Sequence, residues 1–203
     1  MKVALIGATG NVGTRLLSEL VSRRHVVTAI ARHPEKVPER PGVTARRGDV
    51  FDKAGLTALL AGHDAVISAV RFIASDPRLL IDAVKAAGVR RYLVVGGAGS
   101  LEVAPGQRLV DTPTFPAAYK PEALKGGEFL QALRAEKDLD WTFLCPSAVI
   151  AAGERSGKFR LGDDRLLTDA GGKSSISYED YAVAMVDELE KPAHSRRRFT
   201  VGY

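Results

Sequence analysis

One cysteine, one tryptophan and two methionines are all that a chain of 203 residues contains of these three types. A single thiol, Cys145, cannot close an internal disulfide, so nothing here calls for an oxidising compartment. No apolar run approaches the roughly 20 residues of a membrane span. The opening MKVALIGATG is broken at Gly7, too early for the apolar core of a signal peptide. Repeats, low-complexity tracts and metal-ligating clusters are missing too. These absences lead to the expectation of a cytoplasmic protein with no membrane association and no metal.

Composition is that of an ordered chain, 45% hydrophobic and 26% charged. The length suits one domain spanning 1–203. The net charge of +5 is spread along the sequence and falls on no nucleic-acid-binding motif, so no nucleic-acid partner is expected. The one dense run, Arg196 to Arg198, reads as a solvated face rather than a phosphate patch. The positive balance instead suits small anionic ligands such as dinucleotides and flavin phosphates.

Strand and helix patterns alternate through the first half. KVALI (2–6) is a short apolar run of the kind buried in a parallel sheet. The segment 12–24 sets Leu16, Leu17, Leu20 and Val21 on one helical face. VVTAIA (26–31), part of 43–48, AVISAV (65–70) and YLVV (92–95) read as further strands. Helices begin at Leu56 and run over 76–87, the latter with proline in its first turn and Gly88 just beyond its end. This order predicts an α/β, Rossmann-type doubly wound parallel sheet with right-handed crossovers.

The second half is looser. Residues 103–121 form a long proline-containing connection, of the kind that shapes binding sites. A helix over 122–136 and a strand at 141–144 follow; 151–176 reads as loops and a hairpin. Ser177 caps a helix over 178–190, and 199–201 is a last short strand. The region from about 100 to 203 is therefore expected to form a small irregular cover at the sheet's carboxyl edge, contributing the acceptor pocket.

The pattern with the most chemistry is GATGNVG, residues 7–13, between the first strand and the first helix. Gly7, Gly10 and Gly13 stand three apart, with Thr9, Asn11 and Val12 among them. A turn of this kind lets a pyrophosphate approach the backbone and packs the helix closely on the strand. The helix N-terminus then offers free N–H groups and a positive dipole end. The second strand ends Ala31-Arg32-His33, with no carboxylate before Glu35. A carboxylate there would hold a ribose hydroxyl, whereas an arginine accommodates a 2′-phosphate, so Arg32 points to NADP(H) over NAD(H).

The GATGxxG spacing, Gly48-Asp49 after the third strand, LDWTFLCPSAVI (139–150) and SYEDYAVAMVDEL resemble the atypical short-chain dehydrogenase/reductases over most of the chain. The narrower match, through GGAGSLEVAPGQRLVDTPTFPAAYKPEA, is to the NAD(P)H-flavin reductase group, related to biliverdin reductase B and more distantly to NmrA-like proteins. The resemblance implies that Asp49 bonds the adenine amino group with Val50 beside the ring. It implies that Ser68, Ala69 and Val70 pass the ribose and pyrophosphate, and that Pro146 lies against the nicotinamide. Cys145 reads as a small buried hydrophobe rather than a nucleophile.

One element of the superfamily pattern is missing. Carbonyl-reducing members supply a proton from Tyr-x-x-x-Lys. Here Tyr119 is followed at once by Lys120, and Ala123 stands where the lysine belongs. No catalytic residue is assigned on this reading. A flavin accepts hydride at a ring nitrogen and its proton can come from water, so the loss leaves flavin reduction open. The glycine-rich run GGAGS (96–100) either leaves room for a flat ring or is a plain strand-to-loop transition. The expected activity is NADPH-dependent hydride transfer to a flavin, bound as substrate, or to a quinone-like planar acceptor. Ser100, Tyr119 and Lys120 would line its pocket, with surface positions as the alternative for the last two. A non-catalytic NADP(H)-sensing regulator of the NmrA-like type is the alternative function.

Overall fold

The computed structural model describes residues 1–203. Twelve strands and five helices follow one another as β1 (Lys2–Ile6), α1 (Asn11–Ser22), β2 (Val26–Ala31), β3 (Val43–Arg47), α2 (Lys53–Leu60), β4 (Ala65–Ser68), α3 (Pro77–Ala86), β5 (Arg91–Val95), β6 (Glu102–Ala104), β7 (Gln107–Arg108), α4 (Lys120–Ala135), β8 (Asp140–Cys145), β9 (Val149–Ala151), β10 (Arg160–Gly162), β11 (Ser175–Ser177), α5 (Tyr178–Glu190) and β12 (Arg197–Gly202). The central sheet has eight strands in the order β10-β12-β8-β5-β4-β1-β2-β3. All pair in parallel except β10, which runs antiparallel to β12. This is a Rossmann-type α/β fold. From β1 the chain first builds outward to β2 and β3, then returns to add β4 on the other side. That reversal opens a crevice beyond the carboxyl ends of β1 and β4, where ligands of such sheets bind.

Two layers of helix close the sheet because its strands are apolar on both faces. Val3 and Leu5 join Leu16, Leu17 and Leu20 of α1 and Tyr181, Met185 and Leu189 of α5 on one side. Ala4 and Ile6 pack on the other with Leu56 of α2, Leu80 and Val84 of α3, and Phe129 and Leu133 of α4. Side-chain caps fix the starts of α2, α3 and α5. Asp52 accepts from the Gly55 N–H, Asp76 from Arg78 and Leu79, and Ser177 from Asp180. The Asp52 cap starts α2 three residues before Leu56, and the helix ends at Leu60 rather than beginning near it.

Three further expectations are corrected. The loop region 151–176 contains no local hairpin: β10 pairs with the distant β12, and β11 lies parallel to β9. The antiparallel hairpin is β6–β7 instead, turning at Gly106 (φ +74°) inside the segment read as an irregular connection. The arginine run is not simply a solvated face. The Arg198 side chain is only 6% exposed, paired with Asp164 and donating to the Ser100 carbonyl and hydroxyl. Arg196 adopts φ +52° and donates to the Leu139 carbonyl. Arg196 sits in the turn that leads into β12, and Arg197 and Arg198 alternate because they open that strand beside β8, which sequence density alone does not reveal.

Candidate dinucleotide site

The three glycines of the turn between β1 and α1 have separate physical reasons. Gly7 has φ +85°, and a Cβ there would lie 2.5 Å from the Ala69 carbonyl oxygen of the neighbouring strand end. Gly13 packs α1 onto the turn: its Cβ would stand 2.0 Å from the Gly7 carbonyl oxygen. At Gly10 the nearest atom to a Cβ would be 3.5 Å away, so this position is open on its outer side. Unlike α2, α3 and α5, helix α1 has no side chain capping its N-terminus, where Gly10 is the capping residue. Its first N–H groups, from Asn11, Val12 and Gly13, are thereby left for an anion from outside the chain.

Beside this turn lies a cleft of about 360 Å³. Gly7, Thr9, Gly10, Arg32, Asp49, Val50, Ala69 and Val70 line it, as do Phe51, Arg71 and Ala74. Arg32 is exposed and its guanidinium makes no hydrogen bond or ion pair within the chain. The nearest carboxylate in sequence, Glu35, is engaged with the His33 ring at 3.1 Å, and its own backbone N–H, then His33, lower its pKa. Asp49 accepts from the Phe51 N–H through one oxygen, which fixes the carboxylate at the cleft. Gly48 before it is small because a Cβ would come within 2.5 Å of Ile30. The residues present therefore fit a phosphate-bearing dinucleotide: an open glycine, an uncapped helix end, a free guanidinium and a held carboxylate.

Other predicted positions lie elsewhere. Ser68 is buried beneath the cleft, its hydroxyl 3.0 Å from that of Tyr92. Pro146 is buried after β8 and does not line the cleft. Asn11 donates toward the Tyr178 hydroxyl at 3.5 Å, connecting α1 with α5. Ser100 is occupied by Arg198. Tyr119, 68% exposed, and Lys120 stand at the start of α4, away from the cleft lining. Cys145 is fully buried, and burial pushes its thiol up to about 12, so it stays protonated at neutral pH.

The GGAGS run does not open a cavity as a whole. A Cβ on Gly96 would meet the Phe143 ring at 2.5 Å, and one on Gly99 would meet the Ala123 Cβ at 2.6 Å. Both glycines admit neighbours from β8 and α4. Only Gly97 leaves ordinary space, with Phe72 3.7 Å from its Cβ position.

Sequence reading missed Phe51, Arg71 and Ala74. Phe51 and Arg71 directly follow residues it did assign, Asp49-Val50 and Ser68-Ala69-Val70. The available signal was continuity: a chain that reaches a ligand at a strand end usually stays beside it for another residue or two.

The glycine turn, the switch point and the free arginine at the end of β2 agree with a comparison against known families. A family model described as NAD(P)H-binding matches residues 7–192. The chain belongs to that NAD(P)H-binding family. An uncharacterised Bacillus subtilis protein, YwnB, is 44% identical over 99% of this chain and 98% of its own. A Streptococcus pneumoniae structure described provisionally as an NADH-flavin reductase superposes with TM-score 0.81 at 37% identity, covering 100% of this chain and 99% of that one. The NAD(P)H azoreductase of Xenophilus azovorans is 26% identical over 98% of this chain and 67% of its own. Reductase or oxidoreductase stands in the names of several such relatives and structural neighbours. No helix is long and apolar enough to cross a membrane.

Proposed function

We propose that this NAD(P)H-binding chain is an NADPH-dependent reductase that passes hydride to a flavin or another planar acceptor such as a quinone. The observation that carries the cofactor preference is the end of β2. It presents the uncommitted Arg32 guanidinium to the cleft, while Glu35 is turned to His33. A 2′-phosphate is met there by charge-assisted hydrogen bonds, and a bare ribose hydroxyl finds no acceptor in its place. The bound dinucleotide would supply the hydride. The chain's own contribution is to hold and orient it through the glycine turn, Arg32 and Asp49.

The acceptor class rests on chemistry. Tyr119 and Lys120 are adjacent at the start of α4 and lie outside the cleft lining, so they do not form the proton-donating pair of a carbonyl reductase. A planar acceptor that takes its proton from water needs no such pair. The names of two relatives, an azoreductase and an NADH-flavin reductase, agree with an acceptor of this kind. Flavin is read as substrate and not as a resident group.

The test is oxidation of NADPH and NADH with FMN, FAD, riboflavin, a quinone and an azo dye. Turnover with at least one planar acceptor, faster with NADPH, is expected. Tight NADPH binding with no turnover on any of them would favour a cofactor-sensing regulator.

A further inference from the structure

The wall of the cleft after β4 is held by a helix that does not itself line it. Residues 72–74 form a single 3-10 turn. Its first two N–H groups point at one carboxylate: Phe72 donates to Glu122 Oε1 at 2.7 Å and Ile73 to Oε2 at 3.1 Å. Glu122 belongs to the first turn of α4, and one helical turn further on the absence of a side chain at Gly126 admits the Phe72 ring, 3.0 Å from a Cβ placed there. Phe72 is also packed on Phe129 and Phe143. The carbonyl of Arg71 is held from the other side by the Ala74 N–H and the Ser75 hydroxyl.

The backbone around Arg71 is thus fixed at several points while its side chain makes no hydrogen bond. The Arg71 side chain is 73% exposed, the residue lines the cleft, and the guanidinium has one charged neighbour, Glu122 Oε2 at 3.9 Å, an ion-pair distance too long for a hydrogen bond. Both Glu122 oxygens are already committed to backbone N–H groups. Arg71 and Arg32 are the two cations of the cleft lining, and neither makes a side-chain hydrogen bond within the chain. Two guanidiniums without hydrogen bonds, Arg71 in a long ion pair with Glu122, and the single carboxylate of Asp49 leave the lining itself net positive, which suits a ligand with several phosphate charges.

We infer that Arg71 is a second cationic contact for the phosphate groups of the dinucleotide and that Glu122 is its positioning residue, fixing the 71–73 backbone from α4. This rests on the proposed NADPH reading of the same cleft. It adds a link between α4 and cofactor affinity that the glycine turn does not provide. Because Glu122 acts through the backbone carrying Arg71, the two residues are energetically coupled.

The test is direct binding of NADPH and NADH, by calorimetric titration, to wild type, Arg71→Ala, Arg71→Lys, Glu122→Ala and Glu122→Gln, with thermal melts confirming that each variant is folded. Arg71→Ala is expected to weaken NADPH binding about tenfold or more, the scale of a lost charge-assisted bond, with Arg71→Lys recovering part of it. Equal loss for NADH assigns Arg71 to the pyrophosphate; loss confined to NADPH assigns it to the 2′-phosphate. Glu122→Ala should weaken binding several-fold with Glu122→Gln intermediate, and an Arg71→Ala, Glu122→Ala double variant should lose less than the two single losses combined. Wild-type affinity in folded Arg71→Ala overturns the inference and leaves the NADPH reading standing. A wild-type protein that binds neither dinucleotide overturns both.

Discussion

A Cβ atom on Gly13 would stand 2.0 Å from the carbonyl oxygen of Gly7, two residues of one turn pressed together by the docking of α1 on β1. The contact leaves no adjustment through a flexible side chain, because the obstacle is backbone.

Gly13→Ala is therefore expected to displace the start of α1 and destabilise the fold by about 1–3 kcal/mol, the usual range for overpacking. Dinucleotide binding should fall further than stability does, since the shifted N–H groups are the anion site. Denaturant unfolding and NADPH titration of the same variant measure the two effects. Gly10→Ala, with 3.5 Å of clearance, should keep its stability and lose affinity.

The glycines after β5 separate in the same way. Gly99→Ala brings a methyl within 2.6 Å of Ala123 on α4 and should lower the melting temperature. Gly97→Ala meets only the Phe72 ring at 3.7 Å and should melt as wild type. Equal melting temperatures for the two variants would mean that the approach of α4 does not constrain this run.

Glu19 gives a pH dependence of known sign. The Arg155 guanidinium outweighs burial and, with Arg23, holds its carboxyl below the ordinary 4.5. A lowered folded value means stabilisation that is complete above 4.5 and is lost as pH falls through the folded value. Thermal melts should be level from neutral to about pH 5 and decline below it. Glu19→Gln should cost about 1–3 kcal/mol at neutral pH and flatten that acid decline. A parallel decline in variant and wild type would assign the acid sensitivity to other carboxylates.

Arg32→Glu tests the cofactor preference. Placing a carboxylate at the end of β2 opposes a 2′-phosphate and offers an acceptor to a ribose hydroxyl. NADPH affinity should drop at least about tenfold, while NADH affinity changes far less. Unchanged NADPH affinity would remove Arg32 from the site.

Much of the fold was legible because its strands are continuous apolar runs and its glycine turn sits between a strand and a helix. The same local logic identified Gly7, Gly10 and Arg32, and the family resemblance added Asp49 and Ala69, all of which line one cleft. What failed depends on long-range pairing. Arg198 is sequestered by Asp164 and Ser100, 34 and 98 residues away. β10 pairs with β12, the last strand of the chain. Gly96 and Gly99 looked like room for a ligand because nothing in their vicinity announces Phe143 or Ala123. Arg71 escaped notice for the opposite reason: its role depends on Glu122, about fifty residues later, turning a plain loop into a fixed wall.

The central claim is that the chain reduces a planar acceptor with NADPH as well as binding the dinucleotide. Anaerobic single-turnover mixing of purified protein and NADPH with FMN tests it most directly, with NADPH binding measured on the same sample. The account predicts bleaching of the flavin in step with NADPH oxidation, faster than in the protein-free mixture and slower with NADH. Saturable NADPH binding with flavin bleaching no faster than without protein, for FMN and for a quinone in its place, would contradict it.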